Sequence, residues 1–520
     1  MPDGPEAEHV RLAELLGGLV HASDLASGFP HGKSVRTTVL AVAIARRAGC
    51  SQAELHDAFY TTLLRFLGCT GFAHEEGEIY GAGDDVQTRN VMSMADITDP
   101  AATVGAIVAG IGHEAPLRAR GAAVWRLLSN TASHEQHARA QCDTSMLMAE
   151  IVGVSPQVKD ALRFLCERWD GRGHPAHVQG EELALAARLH HIADVAEISH
   201  HRGGRDTAKR NVRKRAGKQL DPRLCEAFLA DADALLERIE GPSAWPAFLA
   251  AEAEPVVQVG PERLDDVARA LGYFADLKSV YTLGHSQAVA TLAEDAAHAQ
   301  GLPAAEVDAL RRAAHLHDLG RVGVPNAIWD HPGKLGPDEW ERVRMHAYHT
   351  ERILWQAPPL RTLATLAAAG HERLDGSGYH RRLLPPMIAR PARLLAAADA
   401  LAAMRATRAY RPALAEDAIL RELADDVRAG RLNADAVDAV LGVGRTARGV
   451  RPAGLSEREV QVLRWVARGK TNKEIAVLLG ISARTVQNHV AHVYEKIGVY
   501  SRAGAAMFVM ERGLGEPDPA

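Results

Sequence analysis

The chain has 520 residues, of which 47% are hydrophobic and 5% aromatic, and its formal net charge at pH 7 is −5. This length suits about three or four domains. A composition rich in alanine and leucine but poor in aromatic residues favours helices. The near-balanced charge excludes a strongly basic chain, so overall charge gives no sign of nucleic acid as a partner.

The first residues, MPDGPEAEHV, are acidic and polar, unlike a secretory signal peptide. No apolar stretch reaches the roughly 20 residues that a bilayer-spanning helix needs. No two of the five cysteines have the C-x-x-C spacing of a zinc ribbon. We expect a cytoplasmic protein with reduced cysteines and no membrane partner.

Two stretches interrupt the helical patterns: 241–255, which holds three prolines, and 442–454, which is rich in glycine and arginine. We interpret both as linkers. They divide the chain into an N-terminal unit at 1–240, a middle unit at 256–440 and a tail domain at 453–515.

The first two units share a faint internal repeat. The middle unit contains AHLHDLGRVGVP, ERLDGSGYH and LAAADALAAM, and the first contains TTLLRFLGCTGF, ERWDGRGHP and HHIADVAE in the same order. The repeat predicts duplication of one helical domain, with a changed site in the first copy.

Histidines and aspartates recur inside predicted helices of the middle unit, beside apolar residues. Burying so many ionisable groups is costly unless they pair or bind a metal. Imidazole and carboxylate together suit Fe, Mn, Zn or similar ions. The candidate metal ligands are His285, His317, Asp318, His346, His371 and Asp399.

The middle unit resembles the HD-GYP domain, a metal-dependent phosphohydrolase class whose typical substrate is cyclic di-GMP. The motifs that carry this resemblance are DLKSVYTLGHS, HDLGRVGVPNAIWDHPGKL, HERLDGSGY and RATRAYRPAL. The resemblance implies one or two divalent ions (Fe, Mn or similar), with Asp318 bridging them and a hydroxide attacking phosphorus. The first ion would be held by His285, His317, Asp318 and Asp399, and the second by Asp318, His346 and His371.

The same resemblance assigns roles around the metals. Asp318 and Arg321 would be the catalytic residues, with Arg321 standing where the family usually has lysine, beside the developing phosphate charge. The residues implied to contact a cyclic dinucleotide or other phosphoester are Asp375, Tyr379, Tyr410 and Arg411.

Two departures from the family pattern affect these roles. The His-His-Glu motif is here Gly370–His371–Glu372, so one expected ligand is missing, and His349 is a candidate replacement. The GYP motif ends in His380 instead of proline. The first departure puts the second metal in question, and a metal-free inherited scaffold is the alternative.

The first unit resembles the same domain without its chemistry. His31 lies near the place of the first ligand, and Arg65–Phe66 and Leu165–Cys166 replace the two histidine-containing pairs. Asp194 keeps the late aspartate. We interpret this unit as a degenerate, non-catalytic copy with a sensory or dimerising role.

The tail contains two capping boxes, Ser456 with Glu459 and Thr471 with Glu474, each followed by a helix that stops at a glycine. A third predicted helix begins after Ser482 and has one apolar stripe and one polar face. The tail resembles the LuxR-type helix-turn-helix family through LSEREVQVL, TNKEIAVLLGIS, TVQNHV and EKIGVYSR. The implied DNA-binding residues are Arg484, Thr485, Gln487, Asn488 and Lys496.

The predicted fold is therefore all-α, with two tandem HD-type domains followed by a four-helix LuxR-type domain. Two functions remain open. In the first, a phosphodiesterase is coupled to promoter DNA binding. In the second, a catalytically silent sensor binds a nucleotide or metal and controls the tail. Because tails of this type usually read paired half-sites, we expect a homodimer in either case.

Overall fold

A computed structural model describes residues 10–68, 70, 71, 73, 85–93, 105, 131–443 and 455–514. Helices dominate, so the predicted all-α class is confirmed. Within the described residues the only strands are β1 (Val10–Arg11) and β2 (Gln258–Val259), which pair antiparallel. The chain divides into two compact units, Met1–Arg263 and Leu264–Ala520.

The first unit is built around α2, which packs against α3 and α7. The long α7 is interrupted at Gly203 and Gly204, whose backbone angles are not helical. The described helices of this unit are α1 (Leu12–Ala26), α2 (Lys33–Arg47), α3 (Gln52–Arg65), α4 (Asp85–Met92), α5 (Thr131–Val152), α6 (Pro156–Ala161), α7 (Leu185–Arg215), α8 (Pro222–Ala230), α9 (Ala232–Glu237) and α10 (Trp245–Ala251).

The segment 241–255, interpreted above as a linker, belongs to the first unit. It carries α10, whose Phe248 is fully buried. A Cβ added at Gly17 of α1 would lie 2.6 Å from the Phe248 ring, so the glycine makes room for this packing. The stretch 444–454, most of the second expected linker, lies outside the described residues.

The helical domain of the second unit has a core formed mainly by α12, α17 and α19. The alanine-rich α17 forms readily because alanine has the highest helix propensity, and Pro391 lies at its start. The helices are α11 (Pro261–Asp276), α12 (His285–Ala299), α13 (Ala304–Leu316), α14 (Asn326–Trp329), α15 (Pro337–Gln356), α16 (Arg361–Ala368), α17 (Arg390–Arg405), α18 (Glu416–Arg428) and α19 (Ala434–Val443).

The tail folds as four short helices, and both predicted capping boxes are confirmed. The Ser456 hydroxyl accepts from the Glu459 N–H, and Thr471 does the same with Glu474. Gly480 ends a helix in the left-handed conformation, with φ 63°. The helices are α20 (Glu457–Ala467), α21 (Asn472–Leu479), α22 (Ala483–Ile497) and α23 (Arg502–Glu511).

The described helices include none with the length and apolar character of a membrane span. Cys50, Cys142, Cys166 and Cys225 are free thiols, and Cys69 lies outside the described residues.

Candidate metal centre

His285 is the first residue of α12, and a tight turn fixes its position. Gly284 has φ 76°, a conformation that favours glycine. Asp276, at the end of α11, accepts hydrogen bonds from the N–H and hydroxyl of Ser286 at 3.0 and 2.8 Å. The start of α12 is therefore anchored to α11. The Nε2 atom of His285 lies 3.1 Å from Oδ1 of Asp399 on α17.

His317 and Asp318 follow α13 and are held against α15 by Thr350. The Thr350 hydroxyl donates to the His317 carbonyl at 3.0 Å and accepts from the Gly320 N–H at 2.9 Å. A Cβ at Gly320 would lie 2.0 Å from the His346 carbonyl oxygen. The glycine of the HDLG motif thus allows the close approach that brings Asp318 to His346.

The carboxylate of Asp318 lies between two groups of imidazoles. Its Oδ2 is 3.7 Å from His285 Nε2 and 3.5 Å from His317 Nε2. Its Oδ1 is 3.4 Å from His346 Nε2 and 3.6 Å from His371 Nε2. In each group the three potential ligand atoms lie within 4.8 Å of one another. One carboxylate is therefore shared by two sets of possible metal ligands.

Asp399 completes the cluster from the α17 side. Its Oδ1 lies 3.6 Å from His317 Nε2, and its Oδ2 lies 3.4 Å from His371 Nδ1. The structure thus brings all the candidate ligands named from the sequence into one buried cluster.

The hydrogen bonds around the cluster fit a bound cation. The Nδ1 atoms of His317 and His346 face the carbonyl oxygens of Ala314 and Val343 at 2.8 and 2.5 Å. If each Nδ1 carries the proton, each Nε2 directs its lone pair into the cluster, the arrangement usual for metal-binding histidines. His346 Nε2 and His371 Nε2 are only 2.7 Å apart. Two lone pairs at that distance repel each other, and a cation bound to both nitrogens would offset that repulsion.

The electrostatics of the cluster also suit a cation. Burial would raise the pKa of Asp318, but Arg321 and His317 hold that pKa well below its usual range. Burial is the largest cause that lowers the pKa of His285 to about 4. It is also the largest cause that lowers the pKa of His346 to about 4. The pKa of His317 is raised to about 9, because the neighbouring aspartates outweigh its burial. The ionised Asp318 and the neutral imidazoles of His285 and His346 are donors that suit Fe, Mn or Zn, and a bound ion would displace the proton that the aspartates keep on His317.

Two arginines border the cluster. Arg321 Nη1 donates to Asp318 Oδ2 at 2.8 Å, and its guanidinium lies 3.9 Å from the centroid of the Trp329 ring. Arg408 is half-buried and donates to the Tyr281 carbonyl at 3.0 Å. Burial and Arg321 lower the pKa of its guanidinium, while Asp399 and Asp318 act in the opposite direction. Their positive charges suit an anionic phosphoester.

Arg408 was missed by sequence reasoning, which chose its neighbours in RATRAYRPAL. Tyr410 is 60% exposed. The Arg411 guanidinium donates to carbonyl oxygens at the end of α17, including Ala403 at 2.8 Å. Arg411 thus caps the end of α17, while Arg408 lies near the aspartates of the cluster.

The loop after His371 places Tyr379 beside the ligands. Its ring stacks on that of His371, with centroids 5.1 Å apart and planes 15° apart. Asp375 is exposed and accepts from the Ser377 N–H and hydroxyl at 2.9 and 2.6 Å, so it shapes the loop. His380 Nε2 lies 2.9 Å from Glu351 Oε2, which ties this loop to α15.

The second ligand group is incomplete at Gly370. A Cβ there would lie 3.8 Å from His317 Cδ2, so the position borders the cluster but offers no donor atom. His349 lies in neither ligand group found among the described residues. Its ring contacts that of Tyr348, with centroids 5.7 Å apart.

The first unit has a similar turn with a lysine in place of a ligand. Gly32 has φ 78°, Lys33 begins α2, and Asp24 accepts from the Ser34 N–H at 3.1 Å. Lys33, whose side chain is 1% exposed, forms an ion pair with Asp194. The residue that follows the left-handed glycine of this turn is Lys33, two residues after His31, which lies near the place of the first ligand in the sequence comparison.

Two side chains of α5 contact the residues that replace the histidine-containing pairs in the first unit. Ser145 donates to the Arg65 carbonyl at 3.3 Å, and Cys166 Sγ donates to Gln141 Oε1 at 3.2 Å. The side chain of Phe66 lies outside the described residues. In the described part of this unit, no group of His, Cys, Asp and Glu atoms has metal-binding spacing.

The third tail helix, α22, exposes the residues expected to contact DNA. Val486 and Val493 are buried, as the stripe pattern predicted, while the opposite face is exposed. Arg484, Thr485, Gln487 and Asn488 lie on that exposed face. Lys496 is 42% exposed, and its Nζ lies 2.8 Å from Glu459 Oε2 within the tail.

Two known families match parts of the chain. The HD domain matches residues 271–433, which hold every candidate ligand. The bacterial regulatory proteins of the luxR family match residues 453–509. The tail is thus a LuxR-type domain, a class of DNA-binding domain.

The chain is 32% identical to the 3'3'-cGAMP-specific phosphodiesterase 3 of Vibrio cholerae, over 79% of this chain and 89% of that protein. This match spans 420 residues, more than the second unit contains, so it includes part of the first. The chain is also 34% identical to a cyclic di-GMP phosphodiesterase of Thermotoga maritima, over 28% of this chain and 41% of that protein.

A solved structure resembles the fold. The crystal structure of the cyclic GMP-AMP specific phosphodiesterase V-cGAP3 of V. cholerae matches with a TM-score of 0.58 and 25% identity. The match covers 85% of this chain and 99% of that one.

Proposed function

This chain belongs to the HD-GYP phosphodiesterase family, and on that premise we propose that its middle domain hydrolyses a cyclic dinucleotide with the help of divalent metal ions. The tail would couple this activity to promoter DNA. The observation that carries the proposal is the Asp318 carboxylate, whose two oxygens face two separate groups of imidazoles.

The protein's own groups would hold and orient the substrate. His285, His317, Asp318 and Asp399 form the first ligand set, and His346 and His371 extend it beyond Asp318. Bound divalent ions would supply a hydroxide nucleophile and neutralise charge on the phosphate. Arg321 and Arg408 would orient the phosphodiester from the cluster's border, and Arg321 would then exchange its contact with Asp318 for one with the phosphate.

The first unit is, in this proposal, a degenerate copy of the middle domain. Both have a left-handed glycine, a first helical residue that faces an aspartate, and an aspartate ten residues before an anchored serine. In the first unit the facing residue is Lys33, whose ammonium supplies a fixed positive charge. A site with a built-in cation has no need of a metal, which favours a sensory or dimerising role over catalysis.

The tail would bind DNA through the exposed face of α22. Gln487 and Asn488 can form paired hydrogen bonds with adenine, and Arg484 and Thr485 can contact phosphates or base edges. Lys496 would have to leave Glu459 to reach a phosphate. A homodimer would present two such helices to paired half-sites.

Gly370 favours a second candidate, a catalytically silent sensor. The position borders the cluster without a donor atom, so the second ligand set has three members, whereas Asp399 would give the first set four. Such a protein would bind metal and nucleotide without turnover and would transmit binding to the tail.

Product formation distinguishes the two candidates. Full-length protein, purified without oxygen and supplied with Fe(II) or Mn(II), is incubated with 3'3'-cGAMP and with cyclic di-GMP. The enzyme proposal predicts linear or fully cleaved product that Asp318→Ala abolishes and that Asp417→Asn, a change at an exposed carboxylate on α18, leaves intact. Metal and nucleotide binding without product would establish the sensor instead.

A further inference from the structure

The first unit contains two thiols that contact each other, Cys142 on α5 and Cys166 in the segment after α6. A hydrogen bond joins the two side chains. Cys166 Sγ also donates to Gln141 Oε1 at 3.2 Å, and Cys142 Sγ donates to the Arg163 carbonyl at 3.5 Å. Because Gln141 precedes Cys142 and Arg163 lies three residues before Cys166, these contacts hold the same two segments together.

Cys166 has the same surroundings as a candidate metal ligand of the middle unit. It precedes ERWDGRGH, as His371 precedes ERLDGSGY. The backbone carbonyl of Gln141 packs against Gly68, as that of His346 packs against the glycine of HDLG, and a Cβ at either glycine would clash with the carbonyl. The contact of Cys166 with Gln141 thus resembles that of His371 with His346, with a thiol and an amide instead of two imidazoles.

The surroundings of the pair make its two thiols chemically unequal. The hydrogen bond from Cys142 is the largest cause that lowers the pKa of Cys166 to about 7, and the charges of Arg65 and His137 also lower it, against the effect of burial. The same hydrogen bond, followed by burial, raises the pKa of Cys142. Since the thiolate is the nucleophilic form of cysteine, Cys166 is the nucleophile of the pair at neutral pH and Cys142 is its protonated partner.

The two other described cysteines of the chain have raised pKa values. Burial is the largest cause of the increase for Cys50, and it raises the pKa of Cys225 to about 12. Cys50 is half-buried, as is Cys166, whereas Cys142 and Cys225 are buried. Cys50 is therefore a matched control, a thiol of similar exposure that stays protonated at neutral pH.

We propose that Cys166 and Cys142 form a reversible disulfide in the presence of a peroxide, so that the first unit senses oxidants. The Cys166 thiolate attacks one oxygen of hydrogen peroxide, which breaks the O–O bond, releases hydroxide and leaves a sulfenic acid. The Cys142 thiol then attacks the sulfenic sulfur, which forms the S–S bond and releases water. The pair of thiols loses two electrons, which reduce the peroxide.

The disulfide would join α5 covalently to the segment after α6. Cys166 would exchange its hydrogen bond with Gln141 for a bond to Cys142, so oxidation changes the contacts at the position that corresponds to His371. A dithiol reductant restores both thiols by thiol–disulfide exchange. This chemistry belongs to the first unit and requires neither a bound metal nor turnover in the middle unit.

The test maps disulfides by mass spectrometry in the full-length protein. Reduced protein is treated with hydrogen peroxide at pH 7, alkylated with iodoacetamide and digested with trypsin, which leaves the five cysteines on five different peptides. The wild type should yield a cross-linked pair of peptides that contain Cys142 and Cys166, and dithiothreitol should separate them. Cys142→Ser should instead accumulate a sulfenic acid on Cys166, which dimedone traps, and Cys166→Ser should leave Cys142 reduced. The control Cys50→Ser should form the cross-link as the wild type does.

The rate of alkylation of the reduced wild type gives a second measurement. At pH 7 iodoacetamide should modify Cys166 at least about tenfold faster than Cys50, because about half of a thiol with a pKa near 7 is ionised, compared with about 3% at the ordinary pKa of about 8.5. Equal rates at Cys166 and Cys50 would overturn the proposal. So would peroxide treatment that yields no Cys142–Cys166 peptide pair, or that links either thiol to Cys69 instead.

Discussion

The two units place different partners beside an aspartate, which is buried in the middle unit and half-buried in the first. In the middle unit Asp399 faces the neutral imidazole of His285 at 3.1 Å, in a cluster that a metal ion can join. In the first unit Asp194 faces the ammonium of Lys33, which is covalently part of the chain. The turn before each residue is the same, a left-handed glycine at Gly284 or Gly32. The same kind of turn thus places an imidazole, which can bind an exchangeable cation, opposite one aspartate and an ammonium, which is a fixed cation, opposite the other.

The largest effect is expected on turnover and metal binding, which the proposed function places in the middle unit alone. Asp318→Asn removes the carboxylate charge shared by both ligand groups, so bound metal and turnover should be lost together. Because a catalytic ion supplies several kcal/mol to the reaction, turnover should fall by more than about 1000-fold. Metal content measured by mass spectrometry after dialysis, with the rate on 3'3'-cGAMP, tests this. A variant that retains its metal would show that Asp318 is not a ligand.

The next effect concerns stability in the first unit. Asp194→Asn removes the carboxylate that forms an ion pair with Lys33, whose side chain is 1% exposed. Breaking a buried ion pair costs about 3–5 kcal/mol. The rate of amide hydrogen exchange in α2 and α7 should therefore be higher in Asp194→Asn than in the wild type, while the bound metal content of the two proteins should be the same. The control Asp160→Asn breaks an exposed pair with Arg163 and should cost less than about 1 kcal/mol. Equal effects of the two variants would contradict the role given to Lys33.

A smaller effect is expected when a lysine, the residue that faces the aspartate in the first unit, replaces His285 in the middle unit. His285→Lys places an ammonium opposite Asp399, so the metal-free protein should be more stable than His285→Ala. The difference should be about 1–3 kcal/mol, the cost of leaving a buried polar group unpaired. Thermal unfolding with a chelator present measures it. If His285→Lys and His285→Ala lower the stability equally, an ammonium does not stabilise the aspartate at this position, which would contradict the comparison of Lys33 with His285.

The smallest effect is a pH dependence. Burial raises the pKa of Asp194, but Lys33 and His190 lower it below the ordinary value of about 3.9. The ion pair therefore stabilises the fold fully above about pH 4, and this stabilisation is lost as pH falls further. The stability difference between wild type and Asp194→Asn should be constant from neutral pH to about 5 and shrink in more acid solution. A difference that grows on acidification would have the wrong sign.

Local patterns were sufficient to predict the helices of the tail and where they begin. Ser456 and Glu459 lie three residues apart, and the hydrogen bonds between them depend on little else, so the capping box could be recognised directly. The middle cluster was also predictable, because its residues follow a known motif order. Lys33 was not found, since its role depends on its contact with Asp194, 161 residues away.

The arginines of the RATRAYRPAL segment show the same limit. Arg408 and Arg411 are three residues apart and have the same chemistry. Arg408 nevertheless borders the candidate metal centre, whereas Arg411 caps α17. Sequence alone cannot separate them because the difference arises from how the loop folds back. The helix at Trp245–Ala251 was hidden for a related reason. Two prolines flank it and Pro246 lies in its first turn, where proline is tolerated, and its packing against α1 is not visible in the local pattern.

The most direct test of the comparison is a crystal structure of the full chain, grown without oxygen in Mn(II) and measured for anomalous scattering from manganese. The account predicts anomalous density beside Asp318, among His285, His317 and Asp399, and none between Lys33 and Asp194. Density beside Lys33, or no density at Asp318 at saturating Mn(II), would contradict the assignment of an exchangeable cation to the middle unit and a fixed one to the first.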